Sequence, residues 1–514
     1  MKKALQYILI GFSFFNIVSC DKEIVENNAA FKALNPVDID EDAGNWQPVI
    51  VTSATDFTLP APQPTNSAAY QQELQELKAL TASLNAEKKQ IINYWKVGSV
   101  LRWNEIMREL VAKHNLPPYQ STDNTYPVPS AANPFAYPVF PFSNPPYAAR
   151  AYAYVSIAQY DALVMAYHFK EKYKRSAPYQ VDASLATNVP KSILPAYPSE
   201  DAVVAGASFE MLKLLFPADI DYITKMAEEE KSYRLWSGAN VKSDIIAGDS
   251  LGRWVARKVI QRARTDGMGA AGGNQALWTK LEDDCKAKGE TPWYSLEMPK
   301  RPPMLPSFGN VKPLLFNTTA IPDLRPVPPP SANSEQMRKE LDEVLNFTSN
   351  PTRERMRIIN FWADGVGTYT PPGHWNAIAT EEFMKKQFSE VRWARNYALL
   401  NASLMDAAIL CWNTKYYYFN ARPCQLNPKI KTLTGVPNFP AYISGHSTFS
   451  GAAATILGYL IPERANDFET MALEASNSRM FGGIHYRADC QAGLETGQKV
   501  GAYAISRAKT DGAN

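Results

Sequence analysis

Two long stretches of this chain, residues 149–171 and 394–420, place Ala, Leu, Tyr and Met at the three-to-four spacing of a buried helix face. Strand-like alternation of apolar and polar positions is scarce, so the pattern predicts an all-α fold. A shorter apolar run, 452–461, follows Pro440-Ala441-Tyr442-Ile443-Ser444-Gly445-His446. It predicts a helix whose N-terminus falls at Ser-Gly-His. Residues 21–66 are polar and aperiodic and read as a tether. Residues 117–146 are dense in Pro, Tyr and Phe, and residues 268–333 form a Pro-rich connection that includes Pro328-Pro329-Pro330.

The pattern recurs within the chain. Ala149-Arg150-x-Tyr152-Ala153 matches Ala394-Arg395-x-Tyr397-Ala398, 245 positions later. The same spacing pairs Asp161 with Asp406, Lys170 with Lys415, Pro178 with Pro423 and Thr265-Asp266-Gly267 with Thr510-Asp511-Gly512. Upstream, Ile91-Ile92-Asn93-Tyr94-Trp95 resembles Ile358-Ile359-Asn360-Phe361-Trp362 at a different spacing, 267, so the loops there differ in length. The expectation is two duplicated helical bundles, 67–267 and 334–514, joined by 268–333.

At the N-terminus, Lys2-Lys3 and an apolar stretch from Ala4 to Val18 precede Ser19-Cys20 and the charged Asp21-Lys22-Glu23. This has the form of a secretory signal. Ile17-Val18-Ser19-Cys20 resembles a bacterial lipobox, with residues 1–20 as lipoprotein signal and Cys20 as lipid anchor. No later apolar run reaches the ~20 residues of a spanning helix. The expected location is extracytoplasmic, periplasmic or cell-surface, with membrane contact through Cys20 alone. The 514 residues carry 53 Lys+Arg against 51 Asp+Glu, a net charge of +2, without a long basic run, which argues against nucleic acid. Cys285, Cys411, Cys424 and Cys490 read as small core filler; an oxidising compartment would permit disulfides, and their connectivity is not legible. Nor is the oligomeric state.

The chemistry concentrates near the C-terminus. Lys415 and Arg422, seven apart, are expected on one helix face ended by Pro423. Arg grips an oxyanion with a planar fork and Lys with a point charge. At Ser444-Gly445-His446, helix N-terminal amides and dipole favour an anion. Ser444 can donate its hydroxyl, Gly445 lets its amide approach, and His446 can serve as acid or base. Arg479 adds a third cation. His485 and Asp489 are expected as an i, i+4 pair in which the carboxylate fixes the imidazole tautomer. Each segment alone is ordinary; together they make a cradle for a tetrahedral oxyanion. In the first repeat Ala177 replaces Arg422, Glu200-Asp201 replace Gly445-His446 and Asn240 replaces His485, while Lys170, Ser199, Arg234 and Asp244 persist. An acidic pair repels an anion, so the first bundle is expected to be a scaffold and only the C-terminal one to hold an intact site.

These three segments resemble the signature that unites type-2 phosphatidic acid phosphatases with vanadium-dependent haloperoxidases. Ile443 departs from it, since the family places Pro before Ser-Gly-His, which loosens the turn. The resemblance implies that Lys415, Arg422 and Arg479 neutralise the oxyanion and that Ser444 and Gly445 bond its oxygens. It implies that His485 coordinates vanadium or attacks phosphorus, and that His446 handles the axial oxygen or protonates the leaving group. The lipid phosphatases of the family span membranes. The soluble helical body here, the segment Gly309-Asn310-Val311-Lys312-Pro313 and Thr370-Pro371-Pro372-Gly373-His374-Trp375-Asn376 look instead like bacterial vanadium-haloperoxidase-like proteins. Trp412 and Phe439 are expected beside the halide, and His374 on a loop built for the active half. The implied function is a peroxidase with vanadate as cofactor and hydrogen peroxide and a halide as substrates, bromide or iodide before chloride. The alternatives are an acid phosphatase acting on a phosphomonoester through phospho-His485, with phosphate in the cradle, and a surface lipoprotein that only binds phosphate.

Overall fold

A computed structural model describes residues 31–52, 56–116 and 141–513. Signal residues 1–20 with Cys20, and most of the stretch 117–146, lie outside the described residues. Those described form helices and connecting loops, with no β-strand and one isolated bridge between Pro292 and Asn420. The fold is all-α.

Two 29-residue helices, Pro145–Tyr173 and Glu390–Tyr418, pack against each other at the centre. Both are buried on nearly every face and not only along the one stripe that the spacing suggests. Runs of Ala let the backbones approach. Asn401 Nδ2 donates to Ser156 Oγ at 2.8 Å, and Asn104 Nδ2 to Asn376 Oδ1 at 2.8 Å. Asn401 and Ser156 are 245 apart.

Around this pair the elements recur at the same spacing. Glu200–Leu215 and Lys242–Arg264 pack on the first long helix, and Gly445–Leu460 and Arg487–Ala508 on the second. Glycine makes the close approach possible: a Cβ on Gly252 would lie 2.0 Å from Val203 O, and one on Gly497 2.2 Å from Thr448 O. The long helices end on left-handed residues, Lys174 with φ 47 and Phe419 with φ 54. Hydrophobic contacts run without a break from one half to the other in a single large core. The four cysteines are unpaired; Cys285, Cys411 and Cys490 are buried and Cys424 partly so. Among the described residues no helix is long and apolar enough to cross a membrane.

Two expectations about the irregular segments need correction. Within the expected tether 21–66, residues from Phe31 onward pack onto the body. Asp40 is buried against Arg392 and Ser389, Ala43 and Trp46 enter the core, and the backbone N–H groups of Val49, Ile50 and Val51 donate to buried Asp161. Asp406 receives the N–H groups of Leu314 and Leu315 in the same way. A buried carboxylate needs such donors, and backbone donors leave no mark on hydrophobic periodicity. The connection 268–333 contains a helix, Gln275–Ala287, and a turn of 3₁₀ helix, Phe308–Asn310. That turn lies so close to the second long helix that a Cβ on Gly309 would meet Asn413 Cα at 2.4 Å.

Candidate active site

Lys415 sits in the last turn of Glu390–Tyr418 and is fully buried. Its Nζ donates to Pro440 O and Ala441 O, both at 2.9 Å, which ties the helix end to the strand of chain before Ser444. Arg422 is not on the same helix face. The helix stops before it, at left-handed Phe419, and Arg422 is the N-cap residue of the short helix Pro423–Leu426. The two cations meet by this reversal. Arg422 Nε and Nη2 donate to Phe439 O, and Nη1 to Ile484 O and to His485 Nε2 at 2.9 Å.

Ser444 caps the helix Gly445–Leu460 as the sequence predicts, its Oγ accepting from Ser447 N at 3.3 Å. The hydroxyl hydrogen stays available to donate. Arg479, in the last turn of Ala465–Phe481, donates to Ser478 Oγ and Trp362 O. His485 lies outside a helix, two residues before Arg487–Ala508, while Asp489 is in that helix's first turn. The pair therefore bridges loop and helix. His485 Nδ1 is 2.8 Å from Asp489 Oδ2, which also accepts from Tyr486 N. Arg422 can only donate, so Nε2 of His485 must be the acceptor and its proton must sit on Nδ1. The carboxylate thus fixes the tautomer that leaves Nε2 with a lone pair.

The electrostatics favour an anion here. Among the described residues Lys415, Arg422 and Arg479 have no carboxylate within ion-pair distance, and all three are buried. Burial pulls both guanidinium groups down to about 10, despite Asp489 near Arg422 and Asp364 near Arg479. Burial lowers Lys415 too, and Arg422 adds to the shift. Burial, then the three cations, holds His485 well below its usual range, so it is neutral. Burial raises Asp489, opposed chiefly by Lys415. Space remains as well: a Cβ on Gly445 would find only Trp412 Cζ3, at 3.8 Å. Oδ1 of Asp489 is buried with no hydrogen-bond partner, and Nε2 of His446 has none within hydrogen-bond distance. Three buried cations without ion-pair partners, a helix N-terminus and one imidazole lone pair fit a tetrahedral oxyanion such as vanadate or phosphate. Among the described residues no three metal-ligating side chains gather, and an oxyanion held mainly by hydrogen bonds needs only His485.

His446, in the first turn of its helix, faces a residue the motif reading missed. Its Nε2 is 3.6 Å from Oδ2 of Asp364, whose Oδ1 is 3.0 Å from His374 Nδ1. Burial alone would raise Asp364, but the two histidines outweigh it and hold the carboxyl at about 2. Burial, and next Arg479, lower His446 to about 4 against the pull of Asp364. His374 is not on a loop. It lies in the helix Thr370–Phe383, its ring 4.6 Å from Trp362, and Trp375 points away to Ser450 Oγ. The sequence signal for Asp364 was the Asp364-Gly365-Val366-Gly367 turn, just ahead of Thr370-Pro371-Pro372.

A cavity of about 290 Å³ opens onto Gly445, His446, Arg479, His485, Asp364, Trp412 and Phe439. Lys415, Arg422, Ser444 and His374 do not line it. The Trp412 and Phe439 rings are 5.0 Å apart, and Phe439 lies under both Lys415 Nζ at 4.9 Å and Arg422 at 5.0 Å. The equivalent place in the first half is electrostatically closed. Lys170 pairs with Glu200 at 3.5 Å and Arg234 with Asp201 at 3.1 Å, and Asn240 Oδ1 accepts from Arg234.

The fold and one segment of the sequence are similar to those of known proteins. Residues 396–508 match the model of the PAP2 superfamily. A bacterial vanadium-dependent iodoperoxidase superposes with a TM-score of 0.58 at 21% identity, over 79% of this chain and 96% of that one. A bacterial vanadium-dependent chloroperoxidase in its holo form superposes with a TM-score of 0.50 at 13% identity, over 71% and 92%. At these identities the likeness is one of fold. No curated protein matches the chain in sequence. Residues 396–508, the segment that matches the PAP2 superfamily model, carry all three cations of the cradle and both of its histidines.

Proposed function

We propose that the chain is a vanadium-dependent haloperoxidase that uses hydrogen peroxide to oxidise a halide, iodide or bromide before chloride. The observation that carries this reading is the set of three buried cations without carboxylate partners around a neutral His485. When bound, vanadate supplies a Lewis-acidic centre that activates peroxide. Lys415, Arg422 and Arg479 would hold its oxygens, with the Ser444 hydroxyl and Gly445 amide, and His485 Nε2 would be its one protein ligand. Asp489 keeps that nitrogen unprotonated. His446, neutral and beside the cavity, accepts the proton of incoming peroxide, and Asp364 stabilises the imidazolium that results. Trp412, Phe439 and Met304 make an apolar wall, which favours large halides that dehydrate easily.

The same neutral Nε2 could attack phosphorus, which is the specific support for an acid phosphatase as second reading. A site for binding alone has no use for the His446–Asp364 arrangement. The deciding experiment assays purified protein with orthovanadate, peroxide and each halide, and in parallel with an aryl phosphate. Halide oxidation lost in His485→Ala supports the first reading. Phosphatase activity without halide oxidation refutes it.

We also propose that the chain is a lipoprotein on an extracytoplasmic face, anchored through Cys20, on the strength of its N-terminal sequence. Cys20→Ser should move the protein from the membrane to the soluble fraction. The recurrence of helices at a spacing of 245 supports reading 67–267 and 334–514 as two copies of one bundle.

A further inference from the structure

The cavity over the cradle is walled on one side by the segment 295–304 of the Pro-rich connection. That segment is fixed: Asn438 Nδ2 donates to Pro302 O at 2.7 Å, Ser295 Oγ donates to Asn438 Oδ1 at 2.7 Å, and Met304 O accepts from Trp412 Nε1 and Tyr416 OH. It delivers Arg301 to the cavity lining. Arg301 is only 7% exposed, and its Nε is buried with no hydrogen-bond partner. Its Nη2 is occupied by Glu297, at 2.7 Å. Thr370, the first residue of the helix Thr370–Phe383, also lines the cavity, and its buried Oγ1 has no hydrogen-bond partner either. A guanidinium N–H and a hydroxyl left unsatisfied inside a protein cost stability unless something binds them. Much of the remaining lining is apolar, with Met304, Val366, Pro437 and Phe449.

We propose that Arg301 and Thr370 form a second anion subsite that holds the carboxylate of an organic acid, whose apolar body lies against Met304 and Pro437. The subsite would make that acid the acceptor of the oxidised halogen. Iodide, peroxide and a proton give hypoiodous acid and water; an electron-rich carbon of the acid then exchanges a proton for iodine, releasing water. What happens to the acid rests on the peroxidase reading; its binding does not.

The test is calorimetric titration of the full chain, saturated with orthovanadate so that the cradle is filled, with 4-hydroxyphenylacetate and with its neutral amide. No peroxide is present. The acid should bind the wild type about tenfold or more tighter than the amide, the range for a charge-assisted hydrogen bond. Arg301→Gln should weaken the acid by a similar factor and leave the amide unchanged, Arg301→Lys should recover part of the loss, and Thr370→Val should cost a few-fold. Equal binding of acid and amide to the wild type, no binding of the acid, or equal binding of the acid to wild type and Arg301→Gln overturns the proposal. If Arg301→Gln does not fold, the comparison of acid with amide on the wild type and on Arg301→Lys decides. Carboxylate selectivity without halide oxidation would sink the peroxidase reading and leave the subsite standing; the converse would do the opposite.

Discussion

Replacing Asp364 by Asn tests whether its charge is maintained by the two histidines around it. The carboxyl is held at about 2 against an ordinary 3.8. That difference, at about 1.4 kcal/mol per pH unit, makes the ionised form worth about 2 kcal/mol to the folded state. A group whose folded pKa is depressed stabilises above its unfolded value and loses that stabilisation as pH falls through the folded one. Asp364→Asn should therefore destabilise fully at pH 5–7, by about half near pH 3, and hardly at all at pH 2. For a chain of 514 residues the melting entropy is about 1 kcal/mol per degree, so the shift near neutrality is about 2 °C. Differential scanning fluorimetry of both proteins from pH 7 to pH 2.5 reads it. A difference that stays constant across that range would show that the Asn substitution acts through packing, and the electrostatic account of Asp364 would be wrong.

Three other perturbations follow from the cradle. Orthovanadate at a hundred times its Kd should stabilise the protein by about 2.7 kcal/mol, and Lys415→Met should weaken that affinity by one to three orders of magnitude, measured by thermal shift. Because burial depresses Lys415 in the free protein, the protonated form that binds the anion is depleted as pH rises, so affinity should fall with alkalinity in wild type but less in Lys415→Met. Gly445→Ala should fold normally, since the new Cβ meets only Trp412 Cζ3 at 3.8 Å, yet lose vanadate affinity at least about tenfold because the methyl occupies the cradle; unchanged affinity would place the anion elsewhere. Asp489→Asn keeps a hydrogen-bond acceptor for His485 but not its charge, and should cost vanadate affinity about 10–100-fold, the scale for a carboxylate behind a ligand histidine.

The parts of the site that were legible in the sequence are those set by residue identity. Lys415, Arg422, Ser444, Gly445, His446, Arg479 and His485 could be named because each contributes a chemical group that few other residues supply. Their local geometry was less legible. The seven-residue spacing of Lys415 and Arg422 suits a helix, and only the left-handed turn at Phe419 shows that a reversal brings them together. His485 and Asp489 satisfy an i, i+4 pattern although only Asp489 is helical. Asp364 and Arg301 escaped notice for another reason. They lie 51 and 114 positions before the nearest cradle residue, Lys415; the Gly-rich stretch after Asp364 marks a turn but not its partners, and nothing local marks Arg301. The same holds for residues 31–52, whose anchoring to Asp161 and Arg392 uses backbone groups and single charges.

The two halves make an internal control for what the fold requires. Lys170 Nζ donates to Pro195 O as Lys415 Nζ does to Pro440 O, 245 positions later, so both buried lysines tie their helix to the same place in the chain that follows. In the first half each cation acquires a carboxylate, Glu200 for Lys170 and Asp201 for Arg234, from the very positions that are Gly445 and His446 in the second. The fold can thus bury these cations with protein counter-charges, at the cost of desolvating two more groups. Packing alone does not demand that Lys415 and Arg479 go without. Burying them without such partners costs free energy, the same cost that lowers the pKa values of Lys415, Arg479 and His485. An exchangeable anion would offset that cost while keeping the place beside His446 open, and this is the physical content of the proposal that the second half is the working one.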